Sequence, residues 1–199
     1  MTPLLFLDTE TTGLIPGRHT PWEIAWQICF AGDGKLKVDR LLGAAFFVSL
    51  AEKQNTDADE IALKIGKFDE RYKISKALDP EQILDILKTD IGIAQAIWGG
   101  KGPIHLVGAV PSFDHAMIAQ NWTGWPGFGE GLWHYHLVDV EAVMAGRLSV
   151  PPPWNSHELS AALCVNHDRS KMHTAMGDVE WAIDCYAAAM GLEVEGRTW

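Results

Sequence analysis

Long apolar runs are missing from this chain of 199 residues: none reaches the length of a membrane span, and Leu4 to Leu7 is too short, and too soon followed by acids, for a secretory leader. No membrane association is expected, and the cytoplasm is the expected compartment. Cysteine is scarce. Cys29, Cys164 and Cys185 are odd in number, far apart and without zinc-like spacing, which argues against a disulfide framework and leaves them as reduced core residues. Positive charge is in deficit, with 16 Lys and Arg against 26 Asp and Glu and a net charge of −10. A passive nucleic-acid binder normally carries a basic footprint so that phosphate contacts can release counterions, and that class is disfavoured. An enzyme that meets phosphate through bound cations is less constrained. A small basic rim drawn from Arg18, Lys35, Lys37, Arg40, Arg169 and Lys171 competes with plain surface charge as the reading of those residues. Internal repeats, low-complexity tracts and linkers are absent too. With 47% hydrophobic residues, the chain suits one domain over residues 1–199.

What is present begins at Asp8-Thr9-Glu10-Thr11-Thr12-Gly13-Leu14, directly after the apolar run. Two carboxylates two residues apart at the end of a buried strand lie on one face of the sheet. They repel each other and are costly to desolvate, so they ask for a cation between them. Asp114 follows a second strand-like stretch, Ile104 to Val107, and opens a helix-like one; Ser112 is the expected N-cap, which leaves Asp114 in the first turn. His173 and Asp178 open the last apolar-periodic segment. A five-residue step overshoots one helical turn by roughly 140°, so the two converge only if His173 lies in the loop or turn leading into the helix.

A coarse reading along the chain is α/β. Trp22 to Phe30 alternates as a strand, Asp33-Gly34 is a turn, and Leu41 to Leu50 is a further strand, which makes an antiparallel meander beginning at Leu4. Residues from about Asn55 to Asp79 are polar and helix-compatible. Asp79-Pro80 caps a helix with Ile83, Leu84, Leu87 and Ile91 on one stripe, ended by Gly99-Gly100. His134 to Val138 alternates as a strand, Asn155 and Glu158 suggest a variant capping box, and the final helix runs from about Thr174 to Met190, closed by Gly191.

Asp8 and Glu10 at a strand end, Asp114 in Ser-Phe-Asp, and His173 with Asp178 as His-x-Ala-x-x-Asp together resemble the three motifs of DEDDh exonucleases, the DnaQ-like and RNase T-like group. The motifs run from Leu4 to Asp178, nearly the whole chain, in the family's order; Thr174 stands where the sister subgroup carries tyrosine. The resemblance implies an RNase H-like α/β fold with a central mixed sheet flanked by helices. It implies removal of nucleotides from single-stranded 3′ ends of DNA or RNA by a two-metal mechanism with Mg²⁺, or Mn²⁺. Asp8 would bridge both ions, Glu10 and Asp178 would complete the first, Asp114 would support the second, and His173 would take the attacking water's proton. Leu14 and Phe113 would flank the terminal base, with the backbone of Thr11 and Thr12 near the 3′ hydroxyl; a core aromatic is the competing reading of Phe113. Residues of about 50–100 look longer than the shortest members need and form a candidate helical insertion, which could cover the active site, bind a partner or lengthen a helix. The chain ends soon after the last helix, at Trp199, which leans toward a stand-alone phage or bacterial type while leaving a polymerase partner and a homodimer open. The rival function is a protein that binds a 3′ end or a partner without cutting, as a scaffold; the presence of all five motif residues favours the enzyme.

The remaining constellations are weaker. Trp22 and Trp26 read as sheet core, and Trp122, Trp125 and Trp133 as packing rather than a stacking surface. His134-x-His136 has metal-compatible strand spacing, yet the sequence shows no third ligand nearby, and a wet strand face accounts for it. Asp57, Asp59 and Glu60 are read as a solvated helix face, since the glycine and terminal glutamate of a calcium loop are missing. His115 is read as an outward first-turn residue.

Overall fold

The computed structural model describes residues 1–50, 57–100, 102–123, 131–166 and 168–197. Strands β1 (Thr2–Thr11), β2 (Pro21–Gly32) and β3 (Lys35–Val48) form the expected antiparallel meander. β3 starts earlier than Leu41, because the alternation already begins at the turn: Leu36 and Val38 are buried, and Lys37 between them is exposed. The apolar run breaks where residues 39–42 bulge opposite Ile28, a gap bridged by the Gln27 amide, which donates to the carbonyls of Asp39 and Leu42.

The chain next forms α1 (Glu60–Ile65), α2 (Phe68–Arg71), a 3₁₀ turn at Ile74–Lys76 and β4 (Ala77–Leu78). The polar stretch is therefore cut into short pieces, at Gly66 and at Lys67 with its positive φ of 55°; Asn55 lies outside the described residues. Asp59 does more than face solvent, since its carboxylate caps α1 by accepting from the Ile61 and Ala62 amides. Helix α3 (Pro80–Ile97) starts at Asp79-Pro80 as read, with the Asp79 amide donating to Gln82. Then come β5 (His105–Gly108), α4 (Pro111–Ile118), a π turn at Ala119–Thr123, β6 (Val138–Asp139), α5 (Val140–Leu148), α6 (Ser156–Ala162), α7 (Ala175–Met190) and β7 (Glu193–Glu195).

The strand order is β4-β3-β2-β1-β5-β6, with β7 also on β3; β5 runs parallel to β1, and β6 parallel to β5. Successive β1 residues feed different cores. Leu4 and Phe6 pack with α5, α6 and α7, whereas Leu5 and Leu7 pack with α3. β2 is buried on both sides from Pro21 to Phe30, more than its alternation required, because helices cover both faces of the sheet.

The structure departs from the local sequence pattern in three places. The N-cap of α4 is Val110, in the left-handed region at φ 50°, and not Ser112; Pro111, which has no amide to leave unsatisfied, takes the first helical position, and Ser112 is exposed within the first turn. Only Val138 and Asp139 form β6. The His136 amide turns back to His134 Nδ1 at 3.0 Å and the His134 amide goes to the Ile104 carbonyl at 2.7 Å, so the sequence alternation there is not a ladder. Cys29 and Cys185 are buried free thiols, but Cys164 is exposed just beyond α6. Among the described residues, no helix is long and apolar enough to cross a membrane.

Candidate active site

The β1 alternation that sends Leu4 and Phe6 toward α7 also sends Asp8 and Glu10 to that face, where the run of apolar residues stops. α4 begins where β5 ends beside β1, and it delivers Asp114, 2% exposed. Thr9, pointing to the other side of β1, ties the two elements together: its amide and its hydroxyl both donate to Asp114 Oδ1, at 3.0 and 2.6 Å. α7 supplies Asp178 in its first turn, with Thr174 as N-cap accepting from the Gly177 amide. His173 stands one residue before that cap, at φ 58°. Ligand atoms of Glu10, His173 and Asp178 all lie within 4.8 Å of one another. Gly177 allows this approach, since a Cβ there would sit 2.2 Å from the Lys171 carbonyl.

All five motif residues line one cleft of about 460 Å³ together with Thr9, Thr11, Leu14, Phe113, Ala109, Val110, Ala62 and Ile65. Leu14 is 74% exposed at the mouth and Phe113 is half-buried in the wall. Thr12 is not among the lining residues. Its amide donates to the Thr20 carbonyl and its carbonyl accepts from Asp59, so its backbone braces the cleft from behind.

Burial, more than mutual repulsion, disfavours the charged forms of Asp8, Glu10 and Asp114. Burial, and then repulsion from Asp114, Asp178, Glu10 and Glu23, holds the Asp8 carboxyl well above the usual range. Burial, followed by Asp178 and Glu23, raises Glu10 to about 8, against a partial offset from Arg71. Burial raises Asp114 to about 7 in spite of the Thr9 hydrogen bonds, which favour the charged form. The donor set, closely packed carboxylate oxygens largely withdrawn from water, fits hard divalent cations.

A cation stands near these acids that no motif in the sequence marks. Arg71, at the end of α2, donates to the carbonyls of Gly66 (2.9 Å) and His173 (2.8 Å), pairs with the Glu23 carboxylate and lies over the Trp22 ring, 5.1 Å from its centroid. Glu23 also accepts the Ala175 amide at 3.1 Å, at the start of α7. The available signal was an acid inside an apolar strand, Glu23 between Trp22 and Ile24. Of the cations proposed for a rim, Lys35 pairs with Glu195, Lys171 with Glu180, and Arg40 donates to the Gly196 carbonyl. His115 faces inward rather than outward: its Nδ1 accepts from the Trp133 indole at 3.1 Å, and Trp133 is itself core. Trp22 packs on Phe47, Phe68 and Tyr72, Trp26 lies in the α3-side core, and Trp122 packs against it; Trp125 lies outside the described residues.

No protein-family model matches the sequence, and no curated protein does. Solved structures do match. Escherichia coli exonuclease I in complex with a dT13 oligonucleotide superposes over 94% of this chain and 40% of its own, with a TM-score of 0.58 at 18% identity. Cell-death related nuclease 4 superposes over 96% of this chain and 64% of its own, with a TM-score of 0.64 at 12% identity. A moderately thermophilic exonuclease I from Methylocaldum szegediense gives 0.63 at 14% identity, over 94% of this chain and 40% of its own. The chain thus spans about two fifths of the exonuclease I chains and just under two thirds of the nuclease 4 chain. Its fold is the RNase H-like α/β fold that those nucleases share.

Proposed function

We propose that the protein is a metal-dependent 3′→5′ exonuclease acting on single-stranded ends of DNA or RNA. One observation carries this reading: four carboxylates and a histidine from β1, α4 and the α7 entry converge on one open cleft, where burial, and after it mutual repulsion, disfavours the charged forms of Asp8 and Glu10 and so favours a bound cation. The fold and the nucleases that share it support the same conclusion, and one of those is solved with single-stranded DNA.

Asp8, Glu10, Asp178 and Asp114 would hold divalent cations, two Mg²⁺ or Mn²⁺ in this proposal. When bound, the cations supply an acidified water and stabilise the leaving 3′ oxygen. His173, exposed and lining the cleft, accepts the water's proton as the general base. Leu14 and Phe113 offer apolar surfaces for the terminal base, a contact that tolerates any sequence because every base has a π-face. Residues 57–76 belong to the same domain in this reading, with Ala62 and Ile65 lining the cleft.

The test uses matched 5′-labelled single-stranded DNA and RNA oligonucleotides with Mg²⁺, with EDTA, and with Asp8→Ala. A ladder that shortens from the 3′ end and vanishes with chelator and variant is expected. Folded protein that cuts neither substrate would overturn the reading.

A further inference from the structure

The first residue of β5 lies beside Leu4 of β1, four residues and so about 13 Å along the strand from Asp8. That residue is His105. The segment before β6 returns alongside it, pinned by the His134 amide to the Ile104 carbonyl, and so sets His134 and His136 against His105. The His105 and His134 rings lie 4.5 Å apart and 25° from parallel, and His134 and His136 are 4.8 Å apart. Ligand nitrogens of all three fall within 4.8 Å of one another. The pair that seemed to lack a third ligand has one, supplied 29 residues upstream by strand pairing rather than by sequence spacing.

We propose that His105, His134 and His136 form a second metal site, separate from the carboxylate cleft and selective for an imidazole-seeking transition metal of the Zn²⁺ class. Three imidazole nitrogens with no carboxylate or thiolate suit Zn²⁺, Co²⁺, Ni²⁺ or Cu²⁺ and offer little to Mg²⁺, the reverse of the cleft. Burial and the two neighbouring imidazoles push the His105 pKa below the ordinary histidine value, which keeps its lone pair free at neutral pH. His134 Nδ1 accepts the His136 amide; a metal taken at that nitrogen exchanges one hydrogen bond on an exposed turn for a coordination bond and leaves the amide to water. Three protein ligands leave a fourth position for water. The role is a staple. It would clamp residues 131–137 to β5 and so steady Trp133, whose indole holds His115 next to Asp114.

The experiment uses the full chain without an affinity tag, carrying Asp8→Asn and Asp178→Asn so that the cleft does not compete for metal. Zn²⁺ is titrated calorimetrically and Co²⁺ by its visible absorption. One equivalent of metal is expected, with affinity falling at least about 10- to 100-fold in His105→Gln and in His136→Gln, a range that even outer partners of metal ligands command. His136 is exposed, so its variant reads the site even if His105→Gln fails to fold. No uptake in the cleft-silenced protein, or uptake unchanged by either histidine substitution, overturns the site; neither result bears on the exonuclease reading.

Discussion

The Arg71 guanidinium donates to the backbone carbonyl of His173 at 2.8 Å, joining two residues 102 positions apart in sequence. The same guanidinium pairs with Glu23, which in turn accepts the first amide of α7. One side chain therefore fixes α2 against β2, holds the left-handed His173 backbone and puts positive charge near Glu10.

Arg71→Gln is expected to lower kcat by roughly 10- to 100-fold with little change in KM, because a displacement of about 1 Å at a catalytic group can cost 10² in rate. Leaving buried Glu23 without its guanidinium, with the Ala175 amide as its remaining donor, also destabilises the fold, by up to about 3–5 kcal/mol. Turnover and thermal unfolding, measured on the same preparation, separate the two effects. A variant that unfolds earlier yet turns over normally when folded would remove Arg71 from the positioning role.

His173→Ala is expected to slow turnover by roughly 10²- to 10⁴-fold, the usual contribution of a general base, while Mg²⁺ binding persists. Rate against pH, together with a metal titration, checks this. Full rate at neutral pH would assign the proton to another acceptor.

Metal-free protein should lose stability as pH rises. Unfolded carboxyls ionise near pH 4, whereas folded Glu10 and Asp114 hold protons to about 8 and about 7, so the native state binds more protons across that window. The stabilising contribution is complete below the ordinary carboxylate range and is lost through pH 7 to 8. Thermal unfolding in EDTA at pH 5 and pH 8.5 measures the slope, and Mg²⁺ should flatten it. A flat profile in EDTA would contradict the buried-acid account.

Gly66→Ala places a Cβ 2.8 Å from the Trp22 ring and 3.0 Å from Glu10 Oε2. The backbone there tolerates any residue at φ −72°, so the effect is one of contact alone. Overpacking of this kind costs about 1–3 kcal/mol, and pushing Glu10 aside should weaken Mg²⁺ binding as well. Unfolding temperature and a Mg²⁺ titration report the two; an unchanged metal affinity would show that α1 gives way rather than Glu10.

The sequence by itself determined the elements whose physics is local. The apolar run Leu4 to Leu7 marks β1, alternation from Trp22 to Phe30 marks β2, Asp79-Pro80 and the Ile83, Leu84, Leu87, Ile91 stripe mark α3, and Thr174 with Gly191 bounds α7. The two-residue step from Asp8 to Glu10 set both acids on one face, and the five-residue step from His173 to Asp178 required the histidine to leave the helix, as its φ of 58° shows. Tertiary structure decided what depends on elements distant in sequence. Arg71 reaches His173, Thr9 reaches Asp114, and His105 meets His134 and His136 only because strand pairing and helix packing bring separate segments together. Periodicity also misled where a side chain captured a backbone amide, as His134 does at His136, or where proline displaced the expected cap at Ser112. Local spacing constrains which face a residue occupies; only the packed chain determines which residue stands opposite.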